Sequence, residues 1–347
     1  MQTLTTSRLK TVFYALFSML YAYRLASIPS YYLSDRTNYA IWYEYASDRL
    51  ETNWGTTQLF FMEPLYYLIN KALSFLNDPN LALQIIAFFI CFNFCFFALN
   101  FMKKWYASIL FLLLLFFVHH VFLLQLNALR QGVAVAFLFC FIQFRKEITY
   151  KNMVVFCCVL GLFHLTFFLI AGLIAVDWWI MHKPRMFQQL KRISILVGTS
   201  VALSIFALSI TTYLGAKQSS SIAENEATTS GLGFLFFLAI LLYIWFMKPQ
   251  KYEDSRINAI YIVSLVSLLF YLASYFFLPL LARILSTALP FTFFILLYKP
   301  KVLDFLIGFA LLFQAIYRFF YTDRISVYFY RPINELFEHV FGLNILL

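Results

Sequence analysis

Apolar runs of about 16 to 22 residues recur from end to end of the chain, broken only by short basic or polar punctuation. No other feature constrains the fold as strongly. Lipid offers nothing to a backbone N–H or C=O, so membrane-spanning segments must be helices or closed barrels. Uninterrupted runs exclude the alternating pattern of a barrel wall. The expected class is therefore all-α, a polytopic helical membrane protein. Composition agrees: 63% of residues are hydrophobic and 12% charged, against about 45–50% apolar usage in soluble domains. No soluble stretch can be cut out, so residues 1–347 are expected to form a single integral membrane domain.

Candidate spans are 11–30, 82–101, 105–120, 126–144, 152–163, 165–181, 193–214, 232–247, 257–278, 284–298 and 302–320, about 11 in all and 10–12 allowing for doubtful ones. The first, TVFYALFSMLYAYRLASIPS, is too long for a signal-peptide core and lacks a small-residue cleavage pattern, so it is expected to remain as an uncleaved span. The five cysteines (Cys91, Cys95, Cys140, Cys157, Cys158) all fall inside spans without a CxxC pair, and read as small packing residues.

The net charge of +10 is a topology signal rather than a nucleic-acid footprint, because the basic residues cluster in alternate turns. If FFMEPLYYLINKALSF, residues 60–75, does not cross, sixteen of the 26 basic residues lie inside, among them Lys103, Lys104, Arg145, Lys146, Lys191 and Arg192. A crossing there would invert the bias, so 60–75 is expected to lie in the outer interface. The same logic makes 152–181 a hairpin of two short helices turning near Gly161 and His164. Outside are then the loops 31–80 and 215–231 and the tail 321–347. The Ser-rich 215–231 loop, with Glu224 and Glu226, reads as a solvated spacer.

Polar residues inside such a chain need a reason. LLQLNALRQGVAVAF places Asn127, Arg130 and Gln131 near the outer end of a span. A centrally placed Arg costs about 2.5–3.5 kcal/mol on insertion scales, so an intramembrane Arg is a functional hypothesis. At this depth it either snorkels to the headgroups or lines a polar cavity, and the flanking amides favour the cavity. Arg283 in LPLLARILSTALP and Arg318 with Arg324 in AIYRFFYTDR lie at two further outer helix ends, as interface anchors or as part of the same site. Three Arg-bearing ends on the outward face oppose the usual charge bias, and an anionic ligand would explain them, since guanidinium forks clamp phosphate oxygens. His164 in GLFHLTFF is either a packing histidine or a general base. Asp35 and Tyr39 in SDRTNYAIWYEY, and Glu63 in MEPLYYL, set carboxylates among aromatics, as in an interfacial belt or a sugar-binding surface. The chain contains no DxD, no metal-ligand spacing, no Walker motif and no GxSxG, so no cofactor or metal is expected.

Taken in order, Asp35-x3-Tyr39, Glu63-Pro64, Asn127-x2-Arg130-Gln131-Gly132-x-Ala134, His164 and Arg283 resemble the EpsG-like branch of the Wzy polysaccharide polymerases. The resemblance runs from the first loop to about residue 300, with NALRQGVAVAF followed by FHLTFF its most specific part. It implies a GT-C-like glycosyltransferase in the bacterial inner membrane, multi-pass, with its site facing the periplasm. Such an enzyme joins undecaprenyl-diphosphate-linked oligosaccharide units into O-antigen, capsule or exopolysaccharide, in partnership with a chain-length regulator and a flippase and without nucleic acid. On that reading Arg130, Arg283 and Arg318 bind the diphosphate, Asn127, Gln131 and Tyr39 bind substrate, and His164 is the base, with Asp35 or Glu63 as substitutes. A flippase or exporter of lipid-linked oligosaccharide, an O-antigen ligase and a scaffold in the synthase complex are the competing readings.

Overall fold

The computed structural model describes residues 2–47, 63–181, 188–213, 231–249, 251–275, 281–321 and 340. Among the described residues there are fourteen α-helices and no strand. In chain order they are α1 (Gln2–Ala26), α2 (Arg36–Ala46), α3 (Pro64–Leu73), α4 (Pro79–Phe101), α5 (Trp105–Phe117), α6 (His119–Leu126), α7 (Leu129–Phe144), α8 (Tyr150–Gly161), α9 (Thr166–Met181), α10 (Gln188–Tyr213), α11 (Gly231–Met247), α12 (Ser255–Ser274), α13 (Leu281–Leu297) and α14 (Val302–Tyr321). The protein is a helical membrane protein. Three helices, α4, α12 and α14, are long and apolar enough to cross a membrane alone, and α5 with α6, bent by 77°, would make a fourth. Five further apolar helices, within α7, α8, α9, α11 and α13, are 10–17 residues long and fall short of that length. The loop 215–230 and nearly all of the tail beyond Tyr321, with Arg324, lie outside the described residues.

The chain divides into two compact units. The first comprises 1–144, 159–165 and 297–347. Its axis is α4, which α1 and α7 flank. Asp78 caps α4, its carboxylate accepting from the N–H groups of Asn80 (2.8 Å) and Leu81 (3.3 Å), while Pro79 supplies the preset first turn. Phe94 and Phe97 of α4 both pack on Phe139 of α7, with ring centroids 5.0 and 4.3 Å away. At its other end α14 lies on α5, where Gly308 lets the backbone come close: a Cβ there would sit 2.9 Å from Leu110 Cδ2. Over this frame lie α2 and α3, packed on each other. Ten residues long, α3 reaches about 15 Å, half the hydrocarbon thickness.

The second unit comprises 145–158 and 166–296, and α12 is its core helix, contacted by α9, α10 and α11. Its membrane-length window is 89% buried, so α12 meets protein rather than lipid on all sides. Hydroxyl pairs tie the helices together: Ser204 with Ser274 at 2.5 Å, and Ser264 with Thr292 at 3.1 Å. Arg192, placed by its position in sequence among the solvent-facing topology charges, is instead buried. Its Nε donates to Asp177 Oδ1 (2.5 Å) and its Nη2 to Oδ2 (2.8 Å), Tyr150 donates to the same Oδ2 (3.1 Å), and Trp245 lies 5.3 Å from the guanidinium. A cation with a bidentate carboxylate is a structural brace, not a loop marker.

Candidate functional site

The site grows from a broken helix in the first unit. After Phe117 the chain turns through 77° at Val118 and restarts as the two-turn α6. The bend removes partners from the last carbonyls of α5, and a side chain replaces one of them: Gln125 Nε2 donates to the Leu115 carbonyl at 2.9 Å. Gln125 is fully buried, and its Oε1 accepts from the Tyr21 hydroxyl at 3.1 Å, so both ends of the amide are used. Then α6 itself ends at Leu126, and α7 begins at Leu129 almost against it. A Cβ on Gly132 would lie 2.2 Å from the Leu124 carbonyl oxygen, so the glycine of the RQG triplet is what allows this return. Asn127 and Gln131 therefore belong to two helices meeting at a break, rather than to successive turns of one span as the uninterrupted run 126–144 suggests.

Arg130 stands in the first turn of α7. Its Nη1 lies 2.6 Å from Glu63 Oε2, with the two side chains 20% and 7% exposed. Its Nε donates to the Tyr39 hydroxyl at 3.4 Å, and its Cζ lies 4.3 Å from the Trp42 ring centre. Tyr39 and Trp42 are three apart on α2, hence on one face. Glu63 occupies the N-cap position of α3 without capping it, since Pro64 disfavours a helical Glu63 and its carboxylate is turned to Arg130. The Glu63-Pro64 pair thus starts a helix and aims a carboxylate in one step.

A second guanidinium lies beneath. Arg36, in the first turn of α2, is fully buried, and its Nε donates to the Leu126 carbonyl at 2.7 Å, where the C-terminal dipole of α6 favours a cation. Its Nη1 and Nη2 have no hydrogen-bond partner. Burial pushes this guanidinium down to about 10, against the opposing pull of Tyr66, Cys91 and Tyr39. Tyr66 packs edge-on against Tyr39, with ring centroids 5.8 Å apart, and is itself fully buried. Burial first and then Tyr39 raise the Tyr66 hydroxyl, while Arg130, the Asn70 side chain and Arg36 draw it down, so it feels both cations. The backbone N–H of Asp35 donates to Asn127 Oδ1 at 3.0 Å, fastening the start of α2 to the helix break and leaving the Asp35 carboxylate half-exposed.

Six of the residues singled out by sequence thus fall in this unit near the break: Asp35, Tyr39, Glu63, Asn127, Arg130 and the buried Gln131. His164 is buried in the interruption between α8 and α9, and the Leu65 N–H donates to the Leu162 carbonyl (3.2 Å), which ties α3 to that interruption. Arg318 is exposed at the end of α14, within electrostatic reach of His119 and His120 at the α5–α6 bend. Arg283, exposed on α13, belongs to the second unit. Sequence reasoning passed over Arg36 and Gln125. The signal for Arg36 was its place in SDRTNYAIW, three residues before Tyr39. Among the described residues no three His, Cys, Asp or Glu side chains are grouped to hold a metal ion. What remains is an aromatic-walled, cationic site with carboxylates at its edge, suited to an oxyanion and to hydroxyl-rich groups.

No curated protein and no solved structure matches the chain. A family model described as the EpsG family matches residues 8–333.

Proposed function

The chain belongs to the EpsG family, and from that premise we propose that it is a polysaccharide polymerase, joining oligosaccharide units carried on undecaprenyl diphosphate. The observation that carries this reading is the meeting of Tyr39, Glu63 and Arg130, residues 24 to 91 positions apart, around one guanidinium. In this reading about 11 crossings and a GT-C-like plan set the site at the periplasmic face of the bacterial inner membrane.

In the reaction the bond from the anomeric carbon to the diphosphate oxygen breaks, and its electron pair leaves with the diphosphate. A sugar hydroxyl of the incoming unit forms the new bond and gives up its proton. Charge builds on the departing diphosphate, where a fixed cation lowers the barrier. Arg130 is that cation, with Glu63 and Trp42 holding its plane; Arg318 serves as an outlying anion contact of the same unit, and Arg283, on the second unit, is proposed as an anion contact in its own right. Asn127, which also fastens the start of α2, and Gln131 bind the substrate at the break, and Tyr39 stacks on or bonds to the sugar next to the diphosphate. The hydroxyl proton needs a base. Glu63 is engaged by Arg130, so the role falls to His164 or to Asp35, whose carboxylate is half-exposed and anchored through Asn127.

The test is a gel of surface polysaccharide from a deletion strain restored with wild type, Arg130→Ala, His164→Gln or Asp35→Asn. Loss of the ladder with single units still displayed is expected for the deletion, for Arg130→Ala and for whichever base variant removes the true base. Loss of even the single unit, with precursor trapped inside, would mean translocation and overturn the reading.

A further inference from the structure

Arg36 is fully buried, yet only one nitrogen of its guanidinium is used. Its Nε serves Leu126, while Nη1 and Nη2 meet no acceptor. No carboxylate among the described residues pairs with it: Glu63 is taken up by Arg130, and Asp35, next in sequence, does not turn back to it. A charge held out of water without partners is unfavourable unless something else brings acceptors. The two free Nη groups form a fork that matches a pair of phosphate oxygens. The Tyr66 hydroxyl, buried beside Asn70, is within electrostatic reach of Arg36 and Arg130 alike.

We propose that Arg36 is a second anion-binding residue of the site, its Nη1 and Nη2 taking non-bridging oxygens of the substrate's diphosphate while Arg130 holds the same anion from its exposed side. The proposal rests on the reading that the substrate is a lipid diphosphate. It divides the labour between the two cations. Arg130 meets the leaving oxygen with Glu63 already at its side, whereas Arg36 adds a positive charge that no carboxylate among the described residues matches. Arg36 and Tyr66 are closed over in this structure, so entry requires a side chain to move. Tyr39 stands by both, held to Arg130 by a long 3.4 Å contact and to Tyr66 by ring packing.

The experiment uses the full chain in lipid nanodiscs and two sugar-free probes, undecaprenyl diphosphate and undecaprenyl monophosphate, with binding read by native mass spectrometry. Wild type is expected to prefer the diphosphate. Arg36→Gln should weaken diphosphate binding by about 30-fold or more, the range seen when one partner of a buried charged contact is truncated, and should erase the preference over monophosphate. Arg36→Lys, which keeps the charge without the fork, should recover part of the loss. Should Arg36→Gln not fold, Arg36→Lys and Tyr66→Phe carry the test, each expected to bind the diphosphate several-fold more weakly. Wild-type affinity in variants that merely melt earlier would reduce Arg36 to a support for Leu126 and overturn the proposal. A wild-type protein binding neither lipid would sink the polymerase reading along with it, whereas diphosphate binding indifferent to Arg36 would sink only the Arg36 assignment.

Discussion

Replacing Glu63 by Gln takes the charge from an acceptor 2.6 Å from the Arg130 guanidinium, in a place where the two side chains keep 7% and 20% of their exposure. With an effective dielectric constant of about 20 and about 4 Å between charge centres, the attraction lost is about 4 kcal/mol. Breaking a buried pair from one side typically costs about 3–5 kcal/mol, so the two routes to the magnitude agree. Arg130→Gln should cost the same plus about 1 kcal/mol for the lost stacking on Trp42. Once either charge is gone the other has nothing to pair with, so the double variant should be little worse than Arg130→Gln alone, a coupling of about 3 kcal/mol. Unfolding of the purified protein in mixed micelles by rising SDS, followed by circular dichroism, gives all four corners of the cycle. Coupling below about 0.5 kcal/mol would mean that the two residues act independently, and the pair would lose its place as the organising contact of the site.

Three further perturbations probe the frame around it. Gly132→Ala drives a methyl group into the Leu124 carbonyl and should cost about 1–3 kcal/mol in the same SDS titration; full stability would show that the α6–α7 return is not close-packed. Gln125→Leu leaves the Leu115 carbonyl and the Tyr21 hydroxyl without their partner and should cost about 1–3 kcal/mol, most of it regained in Gln125→Leu combined with Tyr21→Phe if the orphaned hydroxyl is the larger loss. Asp177→Ala strands the Arg192 guanidinium and should cost about 3–5 kcal/mol, while leaving diphosphate affinity untouched if the second unit's ion pair is only a brace.

What could be read from the chain and what could not divides along physical lines. Helical class follows from apolar runs that no barrel would tolerate, and the outlying Arg130 is visible because a guanidinium in such a run is expensive. Glu63 and Tyr39 stand out through chemical type, even though contacts that join them to Arg130 reach across 67 and 91 residues. Arg36 escaped because its one local signal, a place three residues before Tyr39, does not distinguish a solvated loop arginine from one that tertiary packing will seal; among the described residues its side chain hydrogen-bonds only to a carbonyl 90 residues later. Arg192 misled in the reverse direction, since a basic residue at a span end fits the topology rule whether or not an aspartate fifteen residues earlier has claimed it. The helix breaks at Val118 and 127–128 carry no proline or glycine at the bend itself, and are stabilised by Gln125, Asn127 and Arg36, whose side chains replace backbone partners from a distance.

The spacing between Arg36 and its carbonyl has a consequence for biogenesis. A ribosome adding about 5–20 residues each second delivers Leu126 some 5 to 20 s after Arg36. Throughout that interval the Arg36 side chain lacks the carbonyl it binds in the finished protein, although α3 and α4, against which α2 packs, have already been made. The Arg36 contact therefore closes well after α2 itself has been made. A variant that slowed the arrival of α6 and α7 would therefore lengthen the window in which quality-control proteases can take the first loop, and would lower abundance without altering a single contact of the finished protein.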